Sequence, residues 1–277
     1  MKKILVPLDF SEHSKVVYQF ALEMAKKMSA SLCLYHTAHL PFNENTRTLE
    51  YGDTLEKLTD ANRYELQQLI EKNTPLQYSG VQVNTKIEVG FPVEGILKAA
   101  NDLPAELVIM GMRNKNLWDD FLFGSVTEGV LKKMKRPILV VPPKYEYQAP
   151  DQMLYIFHYG YTDLKNLQLM SGWAKNWNAS LHSVLVASQD VRQKGIKEIK
   201  EKLLATCINV YQATFSSSIQ KSDFRKELST YIGKHNITLL VMEHHDKVLQ
   251  KLMHRVKDMG IVRHLHLPVL FLPHKNG

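Results

Sequence analysis

Two glycines and a serine flank a loop that joins an apolar strand to a helix, and their spacing suits an anion. The apolar run Leu107–Met110 predicts a buried strand, and Gly111 then lets the chain turn without a side chain. Gly124 and Ser125 precede apolar residues at helical spacing. The first N–H groups of that helix have no intrahelical partner, and its dipole is positive at this end. The sequence therefore predicts that phosphates bind between Gly111 and Ser125.

The same spacing resembles the universal stress protein family, whose nucleotide-binding members carry glycine, two residues, glycine, nine residues and then Gly-Ser or Gly-Thr. Gly111, Gly124 and Ser125 match that pattern, and Asn114 stands in place of the second glycine. Three further segments carry the resemblance: Ile4–Asp9 at the first strand, Val89–Pro92 before the third helix, and Arg136–Val141 at the last strand.

The resemblance implies that the ligand is an adenine nucleotide, ATP or a related compound, with Mg or Mn accompanying a triphosphate. It also implies which residues lie near each part of the ligand. Adenine is expected near Pro7, Leu8, Asp9 and Thr37, the ribose near Met110 and Gly111, and the phosphates near Gly124, Ser125, Val126 and Thr127. Within the loop itself, the residues expected near the phosphates are Arg113 and Asn114, with Lys115 as a further cation.

Several of these residues have a second interpretation that the sequence leaves open. Asp9 follows a strand and could instead cap the first helix. Ser125 and Glu128 could form a capping box, a role that is compatible with phosphate binding. Asn114 adopts a positive φ more readily than most non-glycine residues, so the loop can keep its path, but its Cβ can also crowd the phosphates.

Metal binding by the protein itself finds weaker support in the sequence. Asp119 and Asp120 are adjacent in the loop, and adjacent carboxylates rarely aim at one ion, so we interpret them as solvated charges. Five histidines gather in the second half of the chain: His244, His245, His254, His264 and His266. Their spacing fits no closed zinc site, and metal binding there is the lesser alternative.

The composition favours an ordinary globular protein over other classes. The chain has 277 residues, of which 44% are hydrophobic and 23% charged, which suffices for two domains of usual size. The basic residues behind the net charge of +7 are spread along the chain, so nucleic acid is an unlikely partner. The apolar stretches are too short to span a membrane, and we expect a cytoplasmic protein. Two cysteines, Cys33 and Cys207, lie in apolar patterns and are expected to be buried free thiols.

Strand and helix patterns alternate along the first half, which predicts an α/β fold with a doubly wound open parallel sheet. The predicted strands are Lys3–Leu8, Ser31–His36, Val81–Val89, Leu107–Met110 and Ile138–Val141. The first helix should bury one stripe, composed of Val17, Phe20, Ala21, Met24 and Met28. The second crossover is longer, and its helical pattern is predicted to begin after Gly52; this insertion could serve as a lid or an interface arm.

The second half repeats the first. Residues 1–143 are predicted to form a universal stress protein domain with the nucleotide site, 144–152 a linker, and 153–277 a degenerate second domain. Strand patterns at Met153–Tyr159, Leu239–Met242 and Leu267–Leu272 mirror those of the first half. His158 and Glu243 stand where the first half has Asp9 and Gly111, and Arg255 stands at the position of Gly124. Because a carboxylate repels phosphate, we expect no nucleotide in this half.

These observations favour a stress-related regulatory module that binds an adenine nucleotide in its first domain only, with no dedicated catalytic apparatus. The stress-related role follows from the resemblance alone. Two alternatives stay open: a slow ATP hydrolase or phosphotransferase using the same site, and an interaction protein that binds no nucleotide. We expect the two domains to associate as an internal pseudo-dimer through Ile138–Val141 and Val269–Leu272, with an unknown protein partner or a further homodimer as additional options.

Overall fold

The computed structural model describes residues 1–38, 48–112, 124–143, 145–158, 164–186, 201, 213–216, 224–244 and 267–273. Contacts divide the chain into two compact units, with the division between Glu146 and Tyr147 inside the predicted linker. Several residues singled out above lie outside the described ranges: Arg113, Asn114, Lys115, Asp119, Asp120, Cys207, His245, His254, Arg255, His264 and His266.

Strands and helices alternate in the first unit as the sequence predicts. Its described elements, in chain order, are β1 (Lys2–Pro7), α1 (His13–Met28), β2 (Ala30–Ala38), α2 (Thr48–Asn73), a short 3-10 helix (Leu76–Tyr78), β3 (Val83–Val89), α3 (Pro92–Asp102), β4 (Leu107–Gly111), α4 (Ser125–Lys133) and β5 (Ile138–Val141).

The sheet of the first unit is parallel, with the strand order β3-β2-β1-β4-β5. The order reverses direction between β1 and β4, where Ile4 pairs with Leu107 and Leu5 with Val108. Ligands of open α/β sheets bind at such a point, beyond the carboxyl ends of the strands. The predicted fold class is confirmed, and the switch point lies between the strands that carry Asp9 and Gly111.

Burial explains why these segments are so apolar. All four residues of β5 are buried, as are the first four of β4, because helices cover both faces of a parallel sheet. The stripe predicted for α1 is buried along its whole length, from Val17 to Met28. Cys33 in β2 is a buried free cysteine, as expected, and burial raises the pKa of its thiol.

Helix α2 differs from the prediction at its start. It begins at Thr48 and runs through Gly52, four residues before the predicted limit. A glycine inside a helix costs only about 1 kcal/mol relative to alanine, so it does not end a helix by itself. Leu66 is the fully buried residue among its described side chains.

The second unit contains β6 (Gln152–His158), α5 (Leu164–Trp177), β7 (Ser180–Val186), β8 (Ala213–Ser216), α6 (Phe224–Lys234), β9 (Leu239–His244) and β10 (Val269–Pro273). Its strands are parallel and follow the order β8-β7-β6-β9-β10, which repeats the order of the first unit. Strand β6 begins at Gln152, within the predicted linker, and ends one residue before Tyr159. In the part of the chain described here, none of the helices combines the length and apolar character of a membrane span.

Candidate functional site

Five of the predicted site residues lie at or just beyond the carboxyl ends of β1 and β4. Strand β1 ends at Pro7, so Leu8 and Asp9 follow it directly, and β4 ends with Met110 and Gly111. Since these two strands are hydrogen-bonded neighbours, all five share one edge of the sheet. Thr37 joins them from β2, two residues beyond the partner of Pro7 in the register.

The start of α4 lies at the same edge. Gly124 is buried and is the N-cap residue, with no side-chain hydrogen bond to cap the helix, and Ser125 is the first helical residue. The capping box predicted from Ser125 and Glu128 is therefore wrong, because a capping side chain would have to lie one residue earlier. Ser125 is exposed at the first position of this helix, and the N-cap residue before it has no side chain to bond the free N–H groups.

Thr127 fixes this helix relative to β4. Its side chain is buried, and its Oγ1 donates a hydrogen bond to the carbonyl oxygen of Gly111 at 3.2 Å. Val126, beside it, is half-buried. Thr127 therefore holds the first turn of α4 against the end of β4, and Ser125 is exposed in the same turn.

Asp9 organises the turn that follows β1. Its Oδ1 accepts hydrogen bonds from the backbone N–H of Ser11 at 3.1 Å, the hydroxyl of Ser11 at 2.5 Å and the hydroxyl of Ser14 at 3.1 Å. The N-cap residue of α1 is Glu12, so Asp9 does not cap this helix in the predicted way. The carboxylate is nevertheless exposed at the edge of the sheet, with its orientation fixed by two serines.

The sequence analysis missed two aromatic residues that support this turn. His36, at the end of β2, donates from Nδ1 to the carbonyl oxygen of Leu8 at 2.8 Å. The ring of Phe10 lies 4.2 Å from that of His36, and Phe10 has a φ of 59°, which is costly for an aromatic residue. The aromatic contact helps to hold this backbone in place. A histidine at the carboxyl end of a strand beside Thr37 was the available signal.

His13 is the third residue that the sequence analysis missed. Its Nε2 donates to the carbonyl oxygen of Val141 at 3.0 Å, an oxygen that also accepts from the N–H of Met112 at 2.9 Å. A carbonyl oxygen only accepts, so Nε2 carries the proton and Nδ1 is bare in the neutral ring. Nδ1 is buried and has no hydrogen-bond partner among the residues that the structure describes. His13 thus links the start of α1 to the ends of β4 and β5.

Burial keeps both histidines neutral near physiological pH. Desolvation lowers the pKa of His13 and of His36 below the ordinary value, and in each case the backbone hydrogen bond and the charge of Asp9 oppose it only in part. The charge of Asp9 therefore acts on both imidazole rings. Among the described residues, no group of three histidine, cysteine, aspartate or glutamate side chains could hold a metal ion.

The corresponding edge of the second unit has different chemistry. Glu243, at the position of Gly111, lies near the end of β9 and accepts a hydrogen bond from the hydroxyl of Tyr155, a fully buried residue of β6. His158, at the position corresponding to Asp9, is the last residue of β6. A carboxylate thus lies in this unit at the place where the first unit has a glycine.

The sequence and the fold of this chain resemble those of known proteins. The family model described as "Universal stress protein family" matches residues 1–142. Universal stress protein MJ0577 of Methanocaldococcus jannaschii is 29% identical over 159 residues, which cover 52% of this chain and 96% of that protein. Universal stress protein MJ0531 of the same organism is 30% identical over 148 residues, covering 52% of this chain and 85% of the relative.

The fold of the whole chain also has a counterpart among solved structures. A universal stress protein from Archaeoglobus fulgidus DSM 4304 superposes with a TM-score of 0.70 at 20% identity, over 99% of this chain and 97% of that one. At this identity the likeness concerns the fold alone. The family model, in contrast, spans just over half of the sequence, from β1 through β5, and on that basis this protein belongs to the universal stress protein family.

Proposed function

We propose that the first unit binds an adenine nucleotide, ATP or a related compound, and that the protein is a stress-related regulatory module. The observation that carries this proposal is the convergence of Asp9, Gly111 and the uncapped N-terminus of α4 at the switch point between β1 and β4. No dedicated catalytic apparatus is part of the proposal.

The phosphates are assigned to the first turn of α4. Its N-cap residue, Gly124, has no side chain with which to cap the leading N–H groups, the helix dipole is positive there, and the hydroxyl of Ser125 is exposed beside them. The adenosine would then extend over Gly111 toward the turn after β1. There the carboxylate of Asp9 can accept a hydrogen bond from a ribose hydroxyl or from the adenine amino group. When the ligand is a triphosphate, Mg or Mn would bind to its phosphate oxygens.

We further propose that the second unit is a degenerate domain of the same family, with domain limits of 1–143 and 153–277. Its strand order repeats that of the first unit, which supports a common origin. The carboxylate of Glu243 would repel a phosphate brought to that edge of the sheet. The expected stoichiometry is therefore one nucleotide per chain.

A first experiment tests whether the chain carries or takes up a nucleotide. Native mass spectrometry of the untagged protein, followed by denaturation, would identify any released compound, and calorimetric titration with ATP, AMP and cyclic AMP would rank them. Turnover of ATP at a rate lost in Asp9→Ala would favour the hydrolase alternative. An empty chain that ignores all three nucleotides would leave an interaction protein.

A matched pair of variants at Gly124 tests where the phosphates bind. Asparagine and aspartate are nearly the same size and both favour N-cap positions, so each should allow α4 to form. The added carboxylate of Gly124→Asp should weaken nucleotide binding by about tenfold or more relative to Gly124→Asn, through like-charge repulsion. Gly80→Asp, at a glycine with open space around it, controls for the added charge elsewhere in the first unit. Equal affinities of the two Gly124 variants would contradict the assignment.

A further inference from the structure

We propose that nucleotide binding in the first unit is coupled to protonation of His13, so that the affinity for an anionic nucleotide rises as the pH falls. This inference rests on the proposed nucleotide site and names a regulator of it. His13 belongs to neither the glycine pattern nor the adenine-side residues, and its role comes from two contacts and from the charges around its ring.

The first contact places the ring beside the phosphate end of the site. An ideal Cβ at Gly111 would lie 2.7 Å from Cδ2 of His13 and 3.0 Å from Nε2, so the imidazole lies directly against this glycine. The carbonyl of the same glycine accepts the hydrogen bond of Thr127, in the first turn of α4. Gly111 therefore contacts both the ring of His13 and the first turn of α4, to which the phosphates are assigned.

The second contact fixes which nitrogen can respond to pH. Because Nε2 must carry a proton to donate to Val141, any added proton goes to Nδ1. Within the described ranges the buried Nδ1 has no partner, so the neutral form gains no hydrogen bond from this atom there. The neutral state is favoured by desolvation of the charged form, and an anion bound nearby would offset that desolvation.

The charges around the ring of His13 also bear on its protonation. On α1 itself the nearest titratable residues in sequence are Glu12 and Lys15, and the preceding turn contributes Asp9, whose charge raises the pKa of His13. Strands β4 and β5, which the ring contacts, contain no titratable side chain, and the first one on α4 is Glu128. A bound phosphate would thus add a second negative charge to that of Asp9, the one acidic side chain of the described residues whose charge raises the pKa of His13, and partly buried charges are screened less than exposed ones.

Thermodynamic linkage makes the effect reciprocal. If the nucleotide raises the pKa of His13 by one unit, its affinity increases by up to tenfold between high pH and the pH at which the ring of the free protein is charged. The rise should occur as the pH falls toward and below 6.5, because the pKa of His13 in the free protein lies below that ordinary value. The terminal phosphate titrates near pH 6 as well, so the effect must be read as a difference between variants.

The test is calorimetric titration with AMP from pH 5.5 to 8, on the wild type and on His13→Gln. The glutamine amide can still donate to Val141 but does not titrate. The affinity of the wild type should increase more steeply with acid than that of His13→Gln, by several-fold over this range. His36→Asn keeps the donor to Leu8 and should retain the wild-type dependence on pH. Uncharged adenosine should show little difference between wild type and His13→Gln.

A second measurement needs no variant. The imidazole resonances of His13, followed by NMR during a pH titration, should show a higher pKa with saturating AMP than without it. Parallel pH dependences in wild type and His13→Gln, with an unchanged pKa in the NMR titration, would overturn the coupling while leaving nucleotide binding intact. Absence of AMP binding at every pH would instead overturn the proposed function and the coupling together.

Discussion

The imidazole of His13 fills the space in which a side chain at Gly111 would lie. An ideal Cβ there would be 2.7 Å from Cδ2 of His13 and 3.1 Å from Cγ2 of Val17, and real Cβ atoms do not approach a neighbour so closely as the first distance. The glycine that the sequence pattern assigns to the ligand is thus also required by the packing of α1 against β4. Gly111 therefore has a packing role in addition to the one proposed for it in the nucleotide site.

We expect Gly111→Ala to destabilise the protein by about 1 to 3 kcal/mol, the usual cost of overpacking a well-filled interior. Urea unfolding of the first unit would measure it. The matched control is Gly80→Ala, because a Cβ at Gly80 meets nothing within 4 Å and its stability should change little.

The double variant His13→Ala, Gly111→Ala tests whether crowding of the imidazole causes the loss of stability in Gly111→Ala. Removing the imidazole frees the space for the new methyl group, so the free energies of unfolding of the two single variants should not add, and the double variant should recover part of the loss. Strict additivity would show that the alanine disturbs the backbone turn itself and not the packing of His13.

Ser125 and Thr127 lie in the same helical turn, but we expect substitutions at the two positions to affect different properties, nucleotide binding and stability. Ser125 is exposed at the start of α4, so Ser125→Ala should weaken nucleotide binding by about tenfold, the loss of one charged hydrogen bond, with little change in Tm. Thr127 is buried and bonded to Gly111, so Thr127→Val should lower the free energy of unfolding by about 1 kcal/mol. Calorimetric titration and thermal unfolding of both variants check the contrast; it fails if Ser125→Ala has the larger effect on stability.

The sequence alone predicted the fold, for reasons that the structure makes plain. Parallel strands are buried on both faces, so β4 and β5 are apolar runs that a sequence pattern reveals. The meeting of Gly111 with the first turn of α4 was predictable because both flank one strand-to-helix connection, whereas phosphate binding there stays a prediction. Glycine and serine at such a turn act through the local backbone geometry, so their spacing in the sequence is enough to indicate the turn.

His13 and His36 could not be predicted in the same way, because their roles depend on contacts with distant parts of the chain. His13 bonds to a carbonyl 128 residues away and His36 to one 28 residues away. Neither contact leaves a periodic signal. The Ser125 capping box was wrong for a related reason: the motif fits the sequence, but α4 starts one residue too early for the serine to act as its cap.

Gly95 in α3 is a second glycine whose side chain is excluded by a neighbour. A Cβ there would collide with the hydroxyl of Tyr35, a buried residue that donates to Glu88 at 3.1 Å. Gly95→Ala should therefore destabilise the first unit by about 1 to 3 kcal/mol. In the background of Tyr35→Phe, which lacks the hydroxyl, the same substitution should cost clearly less. Urea unfolding of the four proteins measures this coupling, and equal costs in both backgrounds would rule the collision out.

The second unit contains a buried histidine whose bonds favour its neutral form. His182 in β7 is 4% exposed, and its Nδ1 lies 2.9 Å from the hydroxyl of Tyr231 and its Nε2 3.1 Å from Oε1 of Gln152. The amide oxygen accepts from Nε2, and Nδ1 accepts from the tyrosine. Burial, reinforced by the charge of His235, lowers the pKa of His182 to about 4.

A histidine with a depressed pKa makes stability depend on pH in one direction. The unfolded chain takes up the proton near pH 6.5 and the folded chain only near 4, so the stabilisation is complete above 6.5 and is lost as the pH falls between these values. The loss amounts to about 3 kcal/mol by pH 4. Urea unfolding at a series of pH values, for wild type and His182→Gln, isolates this contribution, because carboxylates titrate alike in both proteins. The free energy of unfolding of the wild type, relative to that of His182→Gln, should fall as the pH decreases below 6.5. A constant difference down to pH 4 would mean that His182 is protonated as readily in the folded protein as in the unfolded chain.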